Sequence, residues 1–153
     1  MNLIFRRMTG DDIDCVYKIE RQLFSCPWTK KSFVFEVHNA KYSYPFIAEE
    51  EFKIVGYIIA WYIARELHIG NVAVVPERQG QGIGKFLLSN LFALLNDYEI
   101  SYLEVRENNI RAIKMYESFG FSPLYKRRAY YPDGEDAVIM IKSPQKGKSD
   151  GLV

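Results

Sequence analysis

The chain has 153 residues, 48% of them apolar and 25% charged. That is one globular domain, long enough to bury a core without covalent staples. Its 20 basic and 19 acidic side chains leave a net charge of +1, which argues against a protein held mainly by nucleic-acid phosphates. Leu3 to Met8 reads as a first strand, and Thr9, Gly10, Asp11 and Asp12 supply helix-start chemistry. Ile13, Val16, Tyr17, Ile19, Glu20, Leu23 and Phe24 then set a stripe at helical spacing, which Pro27 stops. Thr29 caps a second helix, with Phe33, Val34 and Val37 facing inward. Pro45 to Glu49 reads as a strand, with Glu49, Glu50 and Glu51 leading into a solvated turn. Ile54 to Ile63 and Leu67 to Val75 are apolar, β-branched runs that predict antiparallel strands. Gly56 inside the first marks a bulge or a close backbone approach.

Pro76 to Gly84 is a glycine-dense loop, and Ile83 to Leu95 a helix with a broad apolar face. Tyr102, Leu103 and Val105 form a short strand. Asn108 or Asn109 caps a further helix through Ala112, Ile113, Met115, Tyr116 and Phe119, with Gly120 just beyond its end. Phe121 to Tyr131 and Ala137 to Ile141 read as two last strands around a Pro132-Asp133-Gly134 turn. The order predicts a mixed sheet covered by helices. Residues 1–142 form the domain, and residues 143–153 a basic tail rich in Lys, Ser and Gly.

Two cysteines and two histidines are too few for a disulfide framework or a His-based metal site. Cys15 and Cys26 read as reduced thiols of a cytoplasmic protein. His38 and His68 read as structural or surface groups, and no metal is expected. No segment approaches the ~20 apolar residues of a membrane span, and residues 1–10 lack a secretory signal's pattern.

The most informative segment runs from Val72-Ala73-Val74 through Gln79-Gly80-Gln81-Gly82-Ile83-Gly84-Lys85. It ends a strand, turns on glycines and starts a helix. Glycines let a ligand approach the backbone, and the free N–H groups of a helix start favour an anion. The segment fails the Walker pattern, because Lys85 is followed by Phe86, and it fails the dinucleotide pattern, because Gly84 comes one position early. Gln79, Gly82 and Gly84 instead fit Gln-x-x-Gly-x-Gly. That motif resembles the coenzyme-A pyrophosphate loop of the GCN5-related N-acetyltransferase (GNAT) superfamily. Pro27-Trp28, Leu103-Glu104-Val105-Arg106, Asn109, Tyr116-Glu117, Gly120-Phe121, Arg127-Arg128, Tyr130-Tyr131-Pro132 and Glu135-Asp136-Ala137 are similar to blocks of the RimI-type protein N-terminal acetyltransferases. The link from the glycine loop to Glu104 is shorter than that family's pattern.

The resemblance implies an α/β (α+β) fold: a mostly antiparallel mixed sheet of about seven strands with about four helices, splayed between the fourth and fifth strands. It implies acetyl-CoA as donor and a protein N-terminus as acceptor, namely the N-terminal alanine of a small-subunit ribosomal protein. Other amines, such as lysine side chains or polyamines, and a silent acyl-CoA-binding module are the competing readings. Membrane and direct nucleic-acid partners are not expected. Glu104 takes the role of general base, although an alternating strand also explains a surface carboxylate there. Tyr116 takes that of general acid, compatible with packing of its ring. Val72, Ala73 and Val74 line the pantetheine arm, Gly80 to Lys85 hold the pyrophosphate through their N–H groups, and Asn109 reaches the cofactor. Lys85 is equally readable as a solvated helix lysine. Tyr130 and Tyr131 suit one wall of a peptide channel or plain edge-strand packing. Phe24 and Trp28 suit the opposite wall.

Overall fold

The computed structural model describes residues 1–39 and 41–144. The strands are β1 (Ile4–Arg7), β2 (Ser43–Glu50), β3 (Lys53–Ile63), β4 (Glu66–Val74), β5 (Ile100–Arg106), β6 (Ser122–Arg127) and β7 (Ala137–Lys142). The helices are α1 (Ile13–Leu23), α2 (Lys30–His38), α3 (Ile83–Leu94) and α4 (Ile110–Ser118). One seven-stranded sheet takes the order β1-β2-β3-β4-β5-β7-β6. Every pairing is antiparallel except β4 with β5. The expected mixed, mostly antiparallel sheet with four helices is therefore the observed fold. From residue 145 on, the predicted tail lies outside the described residues.

Residues that alternate along a strand show how the two faces are covered. Tyr57 meets Phe33 of α2 edge-on, with ring centroids 5.9 Å apart, and donates its hydroxyl to Glu20 of α1. Its neighbour Gly56 faces the other way, onto α3. A Cβ there would lie 2.8 Å from the Ala73 carbonyl and 3.2 Å from Ile83. Gly56 is thus a close approach, and the β2–β3 register also slips beside it, between Ala48 and Glu49. The core fills both sides: Ile47, Ile58 and Ile59 of the central strands, with Leu87, Leu88 and Leu91 of α3, are fully buried. Each such side chain contributes about 1.5–3 kcal/mol by leaving water.

Two elements differ from the sequence reading. The strand expected over 121–131 stops at Arg127, because Ala129 adopts a left-handed backbone (φ 50) and its N–H is taken by the Asp136 carboxylate at 2.8 Å. Tyr130 and Tyr131 therefore sit in the β6–β7 connection, not on a strand. The strand expected to end at Glu49 runs on to Glu50, and neither is a free turn residue: Glu49 accepts from Arg6 at 3.1 Å, and Glu50 lies 2.5 Å from Arg78, leaving the turn at Glu51 and Phe52.

The α1 entry is tied to β1 by Asp12. Its carboxylate takes both Arg6 terminal nitrogens, at 2.8 and 2.9 Å, and the Thr9 N–H at 2.7 Å. The Arg6 guanidinium holds the Asp12 carboxyl below its ordinary value of 3.8, against the opposing effect of burial. A depressed acid stabilises the fold above its unfolded pKa and loses that contribution as pH falls through the folded value. Asp12→Asn should therefore cost about 1–3 kcal/mol in urea unfolding at pH 7. The gap to the parent should narrow as pH drops below about 4. An equal gap at pH 7 and pH 3 would show that charge is not what the pair contributes.

Candidate active site

β4 and β5 pair only from Glu66–Ile69 to Ile100–Leu103. Beyond Ile69 and Leu103 the parallel strands part, and each keeps backbone groups facing the gap. A cavity of about 770 Å³ opens there. Its lining includes Phe24, Trp28, Val72, Ala73, Val74, Gln79, Gly80, Gly82, Ile83, Gly84, Lys85, Glu104, Asn109, Tyr116 and Tyr131. Of the residues singled out in the sequence, Gln81 and Tyr130 do not line it. Gln81 instead accepts from Arg78 at 2.9 Å and donates to the Glu77 carbonyl, while the Tyr130 ring stands edge-on to Tyr131 and is exposed.

The glycine loop is set by its own sequence. Gly80 and Gly82 hold φ of 77 and 84, which other residues rarely adopt. Gln79 donates from Nε2 to the Val74 carbonyl at 3.1 Å, fastening the loop to the end of β4. Gly82 is the N-cap of α3 and brings no capping side chain. The first-turn N–H groups of α3 therefore point out unpaired, beside the positive end of the helix dipole. This is a cradle for an anion, and it fits the pyrophosphate of coenzyme A.

The carboxylate end is built on β5. Glu104 Oε2 lies 2.6 Å from His68 Nε2. A carboxylate only accepts, so this nitrogen carries the proton. His68 is fixed in turn by stacking on Tyr102, with centroids 4.3 Å apart and planes 15° apart, and by Trp61 at 5.0 Å. Sequence reasoning missed this partner: the two residues lie 36 positions apart and meet only through the parallel register that opposes His68 to Tyr102. It set Glu20 on the stripe of the first helix but gave it no role; Glu20 is 2% exposed and lines the cavity. Glu20 accepts from the Trp28 N–H at 3.1 Å, from Asn71 at 2.9 Å and from the Tyr57 hydroxyl. That anchors the Phe24–Trp28 wall to the sheet. Burial foremost, with the Glu20 carboxylate, keeps the Tyr57 phenol far above its ordinary pKa.

Tyr116 stands on α4, whose N-cap is Asn109: its side-chain oxygen accepts from Ala112 N at 3.2 Å. Asn108 instead donates its backbone N–H to Glu135. The end of α4 is pinned just as firmly. Phe121 N donates to the Tyr116 carbonyl and Gly120 N to the Glu117 carbonyl, with Gly120 at φ 95. This is a Schellman closure, and the Tyr116–Phe121 ring contact at 5.9 Å accompanies it. Burial, with a further push from Tyr131, drives the Tyr116 hydroxyl well above its ordinary value. Tyr131 is itself pushed up to about 12 by burial, against the pull of Arg106. Arg106 carries the loop that bears Tyr131: it donates to Asp133 and Glu135, both at 2.8 Å, and lies 4.1 Å from the centre of the Tyr131 ring.

Charged side chains stand among the apolar residues of this lining. Glu20 and Glu104 supply its carboxylates, while Arg111 lies over Gly80 and Lys85 follows Gly84 at the glycine loop, with Lys114 also in the lining. Such an arrangement suits an ammonium beside the carboxylates and phosphates beside the cations. Among the described residues, no group of three or more His, Cys, Asp or Glu side chains is placed to hold a metal ion, and no helix is long and apolar enough to cross a membrane.

The chain is similar in sequence and fold to known proteins. A putative [ribosomal protein bS18]-alanine N-acetyltransferase of Bacillus subtilis is 38% identical over 138 residues, which is 88% of this chain and 91% of that one. The crystal structure of the ribosomal-protein-S18-alanine N-acetyltransferase from Escherichia coli superposes with a TM-score of 0.86 at 31% identity, covering 97% of each chain. Arabidopsis thaliana NAA60 in complex with acetyl-CoA shares the fold, with a TM-score of 0.82 at 17% identity over 93% of this chain and 99% of that one. Residues 13–121 match the acetyltransferase (GNAT) family, and the chain belongs to it.

Proposed function

We propose that this chain is a protein N-terminal acetyltransferase, moving an acetyl group from acetyl-CoA to the α-amine of a protein, with the N-terminal alanine of a small-subunit ribosomal protein as acceptor. One observation carries the reading. The parted strands β4 and β5 join, in one cavity, a glycine loop at the start of α3 to a carboxylate and a buried phenol. The relatives from B. subtilis and E. coli, named for the alanine of bS18, support the acceptor.

The roles follow from the chemistry. When bound, acetyl-CoA supplies a thioester whose carbonyl is the electrophile. The glycine loop holds its pyrophosphate, and Val72 to Val74 offer backbone groups along the cleft. Asn109 lines the same wall. A protein α-amine has a pKa of about 7.7–8.0 and arrives largely as ammonium at neutral pH. Glu104 accepts that proton, with His68 orienting the carboxylate through its Nε2–H. The new C–N bond forms as the C–S bond breaks; Tyr116 donates its hydroxyl proton to the departing sulfur, and the proton that the nitrogen sheds on becoming an amide restores the phenol. Phe24, Trp28 and Tyr131, which line the same cavity as Glu104, flank the acceptor.

Two peptides of one alanine-starting sequence test this. Both carry an internal lysine, and one has a blocked N-terminus. With acetyl-CoA, mass spectrometry should place the acetyl group on the α-amine of the free peptide alone. Acetyl on the lysine of both peptides would make the chain a side-chain acetyltransferase. No product while coenzyme A binds would move it to another acceptor or to a silent module.

A further inference from the structure

We propose that Arg111 and Lys114 of α4, with Lys85 of α3, form a second phosphate subsite that takes the 3′-phosphate of the coenzyme and makes the site prefer coenzyme A to 3′-dephospho-coenzyme A. The inference rests on the coenzyme-A reading above. It concerns side chains outside the Gln-x-x-Gly-x-Gly loop, on a different helix.

The placement comes from how α4 packs. Arg111 and Met115 are four residues apart and share one helix face. That face lies on the glycine loop. A Cβ on Gly84 would be 2.8 Å from Met115 Sδ, and one on Gly80 would be 3.6 Å from Arg111 Nη2. The Arg111 guanidinium therefore rests over Gly80, beside the unpaired N–H groups of α3. Lys114, three residues on from Arg111 along α4, and Lys85, which follows Gly84, line the same cavity.

The charge of these three cations is uncommitted. Elsewhere along the cavity, Arg78 is bound by Glu50 and Gln81, and Arg106 by Asp133 and Glu135. Among the described residues, Lys85, Arg111 and Lys114 meet no carboxylate. A pyrophosphate is already served by main-chain N–H groups and the helix dipole. Three further cations exceed what it needs. A phosphomonoester adds about −1.5 to −2 charge and three acceptor oxygens. A guanidinium fork matches two of these oxygens, and a lysine adds a point charge.

Titration calorimetry of the full chain with coenzyme A and with 3′-dephospho-coenzyme A tests the assignment by binding alone. The parent should bind coenzyme A at least about tenfold more tightly, the range of charge-assisted hydrogen bonds. Arg111→Gln with Lys114→Gln should erase that preference and leave the affinity for the dephospho form within about twofold. Arg111→Lys should retain part of it. Circular dichroism checks that the variants fold, which two exposed helix positions should permit. Equal binding of both ligands by the parent would overturn the proposal. So would an equal loss for both ligands in the double variant, which would assign these cations to the pyrophosphate. Failure of the parent to bind either ligand would instead reject the coenzyme-A reading, and this inference with it.

Discussion

Glu104→Gln is expected to lower turnover of an alanine-starting peptide by about a hundredfold or more at pH 7, within the range for general-base catalysis. Glutamine keeps the shape, and its amide oxygen can still accept from His68 Nε2. Cofactor affinity should stay nearly unchanged, since the carboxylate stands on β5 and is no part of the glycine loop. The loss should depend on pH in one direction. At pH 7 only about a tenth of an α-amine is neutral, whereas by pH 9.5 nearly all of it is. A base is needed most where the amine is charged, so the deficit should shrink by about tenfold across that interval. Steady-state rates of parent and variant from pH 6.5 to 9.5 read this directly. Equal rates at every pH would remove Glu104 from the mechanism. A constant deficit would mean that the carboxylate places the amine without taking its proton.

What the chain discloses unaided depends on how local the cause is. Gln79, Gly80, Gly82 and Gly84 announce their loop because positive φ and close backbone approach have a residue type attached. The strand and helix order is legible because apolar periods survive in short windows. The His68–Glu104 pair is not, since it exists only after β4 and β5 align in parallel across a helix-long crossover. Two asparagines in a row are equally good caps by type, and only the geometry selects Asn109. The turn at Ala129 misleads for a similar reason: alanine gives no warning of a left-handed backbone, so Tyr130 and Tyr131 read as strand. Asp136, seven residues on, supplies the hydrogen bond that holds it. Glu20 falls on the buried stripe of α1 by spacing alone, but its role is not legible there, because the three donors that hold it come from β3, β4 and the α1–α2 loop.

Tyr116→Phe should slow the chemical step by about ten- to a hundredfold, with little change in stability or in cofactor affinity. The ring is what the fold uses: it is 8% exposed, and it packs on Phe121 at the Schellman end of α4. Among the described residues, the hydroxyl makes no side-chain hydrogen bond, so its loss leaves no partner stranded. The hydroxyl is what the reaction uses. Burial first, then Tyr131, pushes its pKa above the ordinary 10.0, so it stays protonated through the working range. A donor of that kind should show no alkaline loss below about pH 10. The parent's single-turnover rate should therefore hold level once the amine is neutral, and the variant should lie below it by a constant factor. A rate equal to the parent's in the variant would reduce Tyr116 to packing and leave the thiolate to depart unassisted. An alkaline fall in the parent, absent in the variant, would show that the buried phenol ionises within reach of the reaction, contrary to what its surroundings dictate.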